Sequence, residues 1–192
     1  MDLTNETLIQ RICSKQDDDT WKEFDATYRS YIIAFVNRMG LSYHESQDLC
    51  QIIMVKLWKG LPRFQYKRGE CRFRTWLITV SRNAIRDYVA LKQNKMRKQT
   101  DSGLEIDYPV TADIEKITQQ EWEVFIYKKA WDNVKTQFSE SVLKAFNLSA
   151  QKVPNQQIAD ELGLASSSIY TYRHRVETAL KKEILRLNDE LS

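Results

Sequence analysis

The stretch Gln156-Gln157-Ile158-Ala159-Asp160-Glu161-Leu162-Gly163-Leu164-Ala165-Ser166-Ser167-Ser168-Ile169-Tyr170 decides the fold, because it is built like two short helices meeting at a tight turn. Ala159 is small enough for a second helix to cross closely, and Gly163 can take the positive φ such a turn demands. Ile158, Leu162, Leu164 and Ile169 would plug the angle between the helices. Ser166 or Ser167 can cap the helix that follows. Its exposed face is expected to carry Ser168, Tyr170, Thr171, Tyr172, Arg173 and Arg175, whose hydroxyl and guanidinium groups suit phosphate positioning and base-edge hydrogen bonding in a major groove. With Ser166 and Ser167 these form the first set of DNA-binding candidates. An ordinary helical hairpin is the plainer reading, but Gly163 and Ile169 stand four and ten residues after Ala159, which favours a helix-turn-helix.

Upstream, apolar residues keep a helical rhythm through Ile117, Trp122, Phe125, Ile126, Trp131 and Val134, then Val142, Leu143 and Phe146, so a second helical domain is expected over residues 113–192. Residues 95–112 hold Gly103 and Pro109 without a sustained apolar period and read as a linker. At about 3.3 Å per residue it could reach ~60 Å when extended. Before it, Trp21, Phe24, Tyr28, Ile32, Phe35 and Val36 mark one amphipathic helix, and Leu49, Ile52, Ile53 and Leu57 a second beyond Gly40. A third is expected from about Phe73 to Leu91, with Phe73, Trp76, Leu77, Val80, Ala84, Tyr88 and Leu91 turned inward. Pro62 and Gly69 bracket a loop at Arg63 to Arg68, and residues 1–94 would close into a helical bundle.

Five glycines and three prolines in 192 residues agree with long helices, and the fold class predicted is all-α, two small domains on a flexible acidic linker. The three cysteines, Cys13, Cys50 and Cys71, are odd in number and widely spaced, which suits neither a disulfide framework nor a metal knuckle. No apolar run is long enough for a membrane helix and no signal peptide opens the chain, so a cytoplasmic protein without membrane partners is expected. His44, Glu45 and Asp48 share about one turn, but helix-start polarity accounts for them better than a metal or acid–base cluster, and no enzyme activity, cofactor or metal is expected.

The net charge of +3 is unevenly spread. Lys67 to Lys98 holds ten basic residues against two acids, whereas Asp101 to Glu123 holds seven acids against one lysine. A basic surface followed at once by an acidic segment points to nucleic acid beside a segment that avoids or mimics it. Solvated helix faces would give the same counts.

The run Asp48-Leu49-Cys50-Gln51-Ile52-Ile53-Met54-Val55-Lys56-Leu57-Trp58, followed by Leu61-Pro62-Arg63-Phe64, resembles the polymerase-binding helix of extracytoplasmic-function (group four) sigma factors. Arg72-Phe73-Arg74-Thr75-Trp76-Leu77 and Ser81-Arg82-Asn83-Ala84-Ile85-Arg86-Asp87-Tyr88 resemble that family's minus-ten-reading helix, and Val142-Leu143 to Leu180 its minus-thirty-five-reading domain. The resemblance implies core RNA polymerase and promoter DNA as partners and admits an anti-sigma factor. It makes Asp48, Gln51, Met54, Val55 and Lys56 polymerase contacts. It assigns Phe64, Tyr66, Lys67, Arg68, Arg74, Arg82, Asn83 and Arg86 to the melted minus-ten strand, where basic groups hold phosphates, Asn83 pairs with a base edge and Phe64 or Tyr66 stacks. Trp76 is expected in the core. Asp101, Glu105 and Asp107 would follow the family's connector through basic channels of the polymerase. Tyr170 and Tyr172 stand where many relatives are basic, and Cys50 where an aliphatic is usual, so promoter preference does not carry over. The rival function is a stand-alone helix-turn-helix regulator of duplex operators.

Overall fold

The computed structural model describes residues 7–15, 17–64, 73–99 and 111–191, and their regular elements are eight α-helices and one 3-10 turn. The helices are α1 (Leu8–Ser14), α2 (Asp18–Asn37), α3 (Tyr43–Gly60), α4 (Phe73–Gln99), α5 (Thr111–Lys135), α6 (Glu140–Ala150), α7 (Asn155–Leu162) and α8 (Ser166–Leu191), with the 3-10 turn at Leu61–Arg63. The all-α expectation holds. Arg63 belongs to the turn and not to the loop expected there, because Pro62 just inside its start presets the required φ.

Local chemistry explains the helix starts. Thr7 and Gln10 form a capping box for α1, which periodicity alone did not reveal because the helix is only seven residues long. Ser42 and Glu45 form another at α3, with the Ser42 amide donating to Glu45 Oε2 at 2.9 Å. Asp17 caps α2 by accepting from the Thr20 amide at 2.8 Å. Helix α4 continues to Gln99, into the expected linker, since Lys, Gln, Asn, Met and Arg sustain a helix without an apolar stripe.

The described chain forms two compact units, residues 1–125 with 190–192, and residues 126–189. In the first, α2 runs through an aromatic core. Phe24 and Tyr28 lie 4.8 Å apart, Tyr28 and Phe73 5.3 Å, and Tyr31 and Trp122 5.3 Å in edge contact. Leu49, Ile53 and Leu57 of α3 are fully buried in the same unit. Each such side chain contributes roughly 1.5–3 kcal/mol on leaving water. The first half of α5 belongs to this unit: the Tyr31 hydroxyl donates to the Thr118 carbonyl at 3.1 Å, and burial pushes its pKa above the usual range. Compactness therefore divides the chain after Phe125, beyond the boundary expected at 112 and 113.

Helix α4 buries Phe73, Leu77, Ser81, Ala84 and Ile85. Trp76, Val80 and Tyr88 are only half-buried, and Leu91, expected in the stripe, is exposed. A line advancing in fours rotates about 40° per step around a helix of 3.6 residues per turn, which carries the buried face away from Leu91. Ile52, expected inward on α3, is likewise exposed.

In the second unit, Ala145, Ile158, Ala159 and Ile169 form a buried cluster, against which Leu148, Val153, Leu162, Leu164 and Tyr172 pack. Among the described residues, no helix is long and apolar enough to cross a membrane.

Candidate nucleic-acid interface

In the second unit, residues 126–189, α7 and α8 meet at a turn at Gly163. Gly163 adopts φ 64° and ψ 36°, the left-handed region that an L side chain enters at a cost, and the Leu164 amide returns to the Ala159 carbonyl at 2.9 Å. Ala159 and Ile169 are buried where the helices cross. Upstream, α6 ends in the same manner without a glycine. Lys152 takes φ 64°, its amide donates to the Ser149 carbonyl at 3.0 Å, and Val153 donates to the Leu148 carbonyl at 3.1 Å. This is a Schellman closure whose apolar pair, Leu148 and Val153, joins the core.

Helix α8 begins at Ser166, so Ser166 and Ser167 stand in its first turn, exposed, with Ser168 half-buried. Tyr170, Thr171 and Arg175 are exposed as expected. Tyr172 is not on that face, and Arg173, half-buried, lies at its edge with its guanidinium over the Tyr170 ring at 5.6 Å. Tyr172 packs on the buried cluster, and Arg173 borders a groove with Tyr127, Phe146 and Leu180 while pairing with Glu177 at 3.5 Å. Two residues turn the helix by about 200°, which points Tyr172 away from Tyr170 and toward the core. His174, not chosen from sequence, joins that face: it is exposed and its ring lies parallel to that of Tyr170, centroids 6.3 Å apart. The spacing of four residues from Tyr170 was the signal that could have found it. Arg175 lies over the Phe138 ring at 5.9 Å.

On the front unit, Asn83 and Arg86 point outward on α4. Arg74 and Arg82 are engaged by α5: Arg82 Nη1 lies 2.7 Å from Glu115 Oε1, and Arg74 hydrogen-bonds the Gln119 side chain and stands over the Trp122 ring at 4.9 Å. Phe64, expected as a stacking surface, is buried against Phe73 and Trp76 at 5.8 and 4.8 Å. Its amide donates to the Leu61 carbonyl at 3.1 Å, so the 3-10 turn fixes the backbone from which the ring reaches them. Tyr66, Lys67 and Arg68 lie outside the described residues, as do Asp101, Glu105 and Asp107.

Helix α3 exposes Asp48, Gln51, Val55 and Lys56. Met54 sinks into the core, since it stands four positions after Cys50 and three before Leu57, both buried on the inward side. Ile52 and Val55, 40% and 44% exposed, form the apolar centre of a face edged by Asp48 and Gln51, the composition of a protein-docking surface. Lys56 Nζ pairs with Asp87 of α4 at 2.6 Å. Lys92 pairs with Glu45, which together with the Ser42 cap lowers the Glu45 carboxyl to about 2. Burial pushes the Cys50 thiol up. No group of three metal-ligating side chains occurs among the described residues.

No curated protein matches this chain. A solved structure described as CnrH in complex with the cytosolic domain of CnrY aligns at 16% identity over 91% of this chain and 93% of that one, with a TM-score of 0.37, a value that leaves a shared fold unestablished. Residues 25–95, which span most of α2, all of α3 and α4 as far as Lys95, match the family described as Sigma-70 region 2.

Proposed function

We propose that the chain is a sigma factor of the extracytoplasmic-function (group four) type, which binds core RNA polymerase and directs promoter recognition, melting and initiation. The observation that carries this is the presence, in one chain, of a Sigma-70 region 2 segment at 25–95 and a helix-turn-helix closed at Gly163. In this division of labour, residues 1–94 dock on polymerase and hold the opened minus-ten strand, 95–112 connect, and the helix-turn-helix within 113–192 grasps the duplex at the minus-thirty-five element. The α3 face of Asp48, Gln51, Ile52, Val55 and Lys56 serves the polymerase. Asn83 and Arg86 of α4 meet the strand first, with Tyr66, Lys67 and Arg68 beside them and Arg74 and Arg82 behind. Tyr170, Thr171, His174 and Arg175 enter the major groove, with Ser166, Ser167 and Ser168 toward phosphates at the helix start. Such a protein works where polymerase is, in the cytoplasm, and an anti-sigma factor fits among its partners.

Run-off transcription from fragmented genomic DNA with purified core polymerase tests this. Discrete transcripts that depend on the chain support it. Tight binding of promoter-sized duplexes by the pure protein, with no dependence on polymerase, would favour a stand-alone regulator instead.

A further inference from the structure

The basic face of α4 is met within the front unit by the acidic start of α5. Arg82 pairs with Glu115 at 2.7 Å, Arg74 with Gln119 and the Trp122 ring, and Arg38 of α2 with Glu121 at 2.9 Å. Arg74 and Arg82 are among the side chains assigned above to strand phosphates, so α5 occupies part of the surface that an opened strand would touch. The charge reversal between residues 67–98 and 101–123 thus has a structural counterpart, one helix neutralising the other.

We propose that the segment Ile114 to Glu121 of α5 is a built-in acidic stand-in for nucleic acid, seated on α4 in the free protein and lifted by single-stranded DNA, an inference that rests on the strand-binding role of α4. The contacts are graded in a way that suits release. Behind Glu121, Trp122 and Phe125 are sunk among Tyr28 and Tyr31, and they anchor the helix. Ahead of Trp122, Ile114 and Thr118 are buried and Ile117 is half-buried, the Thr118 carbonyl accepts from the Tyr31 hydroxyl, and the remaining contacts are the Arg74–Gln119 hydrogen bond and ion pairs at partly exposed positions, which are individually weak. Arg82 gives Glu115 a single N–H, through Nη1, and its Nε is buried in the free protein without a hydrogen-bond partner. A phosphate that takes two guanidinium N–H groups makes the stronger contact.

Fluorescence anisotropy of the full chain with a labelled single strand tests this, combined with hydrogen exchange. Glu115→Gln/Glu121→Gln is expected to bind about threefold or more tightly than the wild type, since the competent state is no longer taxed. The control Asp18→Asn/Asp19→Asn removes two negative charges from the exposed start of α2 and measures the gain from net charge alone. In the wild type, saturating strand should raise exchange in residues 114–121 while 122–125 stay protected. Equal gains in both variants, or unchanged exchange at 114–121 with the strand bound, would overturn the stand-in. Asn83→Ala/Arg86→Ala separates the two levels. Weakened binding there with no α5 effect leaves α4 as the strand face and removes the stand-in; undiminished binding removes both.

Discussion

A Cβ atom placed on Gly60 would stand 2.7 Å from Cζ2 of Trp76, closer than real side chains approach. The end of α3 therefore meets the first turn of α4 through a glycine, and the Trp76 ring is fixed from its other sides by Phe64 and Phe73. Gly60→Ala gains helix propensity yet is expected to lose about 1–3 kcal/mol through overpacking. Urea unfolding followed by circular dichroism measures it. An unshifted midpoint would show that the ring has room to swing.

Lys152 and Gly163 occupy the same left-handed region, and their substitutions should act in opposite directions. Lys152→Gly relieves a non-glycine residue at φ 64° and should stabilise the rear unit by about 0.5–1 kcal/mol. Gly163→Ala meets no atom within 4 Å, so its cost, about 1 kcal/mol, comes from backbone strain alone. Thermal melts of the two variants supply the comparison; shifts of the same sign would contradict it.

Tyr170 and Tyr172 are two residues apart and serve different ends. Tyr172→Ala uncovers the cluster of Ala145, Ile158, Ala159 and Ile169 and should destabilise by roughly 2–3 kcal/mol. Tyr170→Ala removes an exposed ring and should leave stability within about 0.5 kcal/mol while weakening binding to duplex DNA. Melting curves and duplex titrations of holoenzyme assembled with each variant separate the two roles.

Acid should loosen the start of α3. The Lys92 contact and the Ser42 cap hold Glu45 at about 2, below its ordinary 4.5. A carboxylate with a lowered folded-state pKa contributes stability that is complete above about 4.5 and disappears as pH falls through about 2. Glu45→Gln should therefore differ from the wild type most at pH 6 and converge with it near pH 2. Asp17 and Glu183, also held at about 2, titrate in both proteins and cancel in the difference. A gap between the two proteins that stays constant with pH would disprove the coupling.

Much of this architecture was legible in one dimension. The period of α2, the glycine turn between α7 and α8 and the opposed charge blocks are local patterns, and local patterns survive projection onto a sequence. Which side chain of a helix is free depends on neighbours that lie far along the chain. Met54 and Phe64 read as surface residues and are buried, Ile52 and Leu91 read as buried and are exposed, and His174 was passed over although it shares a face with Tyr170.

Sequence alone determined that the chain is helical and that residues 156–170 turn at Gly163, because backbone propensity and apolar period act over a few residues. Tertiary structure alone decided that Arg74 and Arg82 are held by Gln119, Trp122 and Glu115, since contacts between residues more than thirty positions apart exist only once hydrophobic burial has brought their helices together.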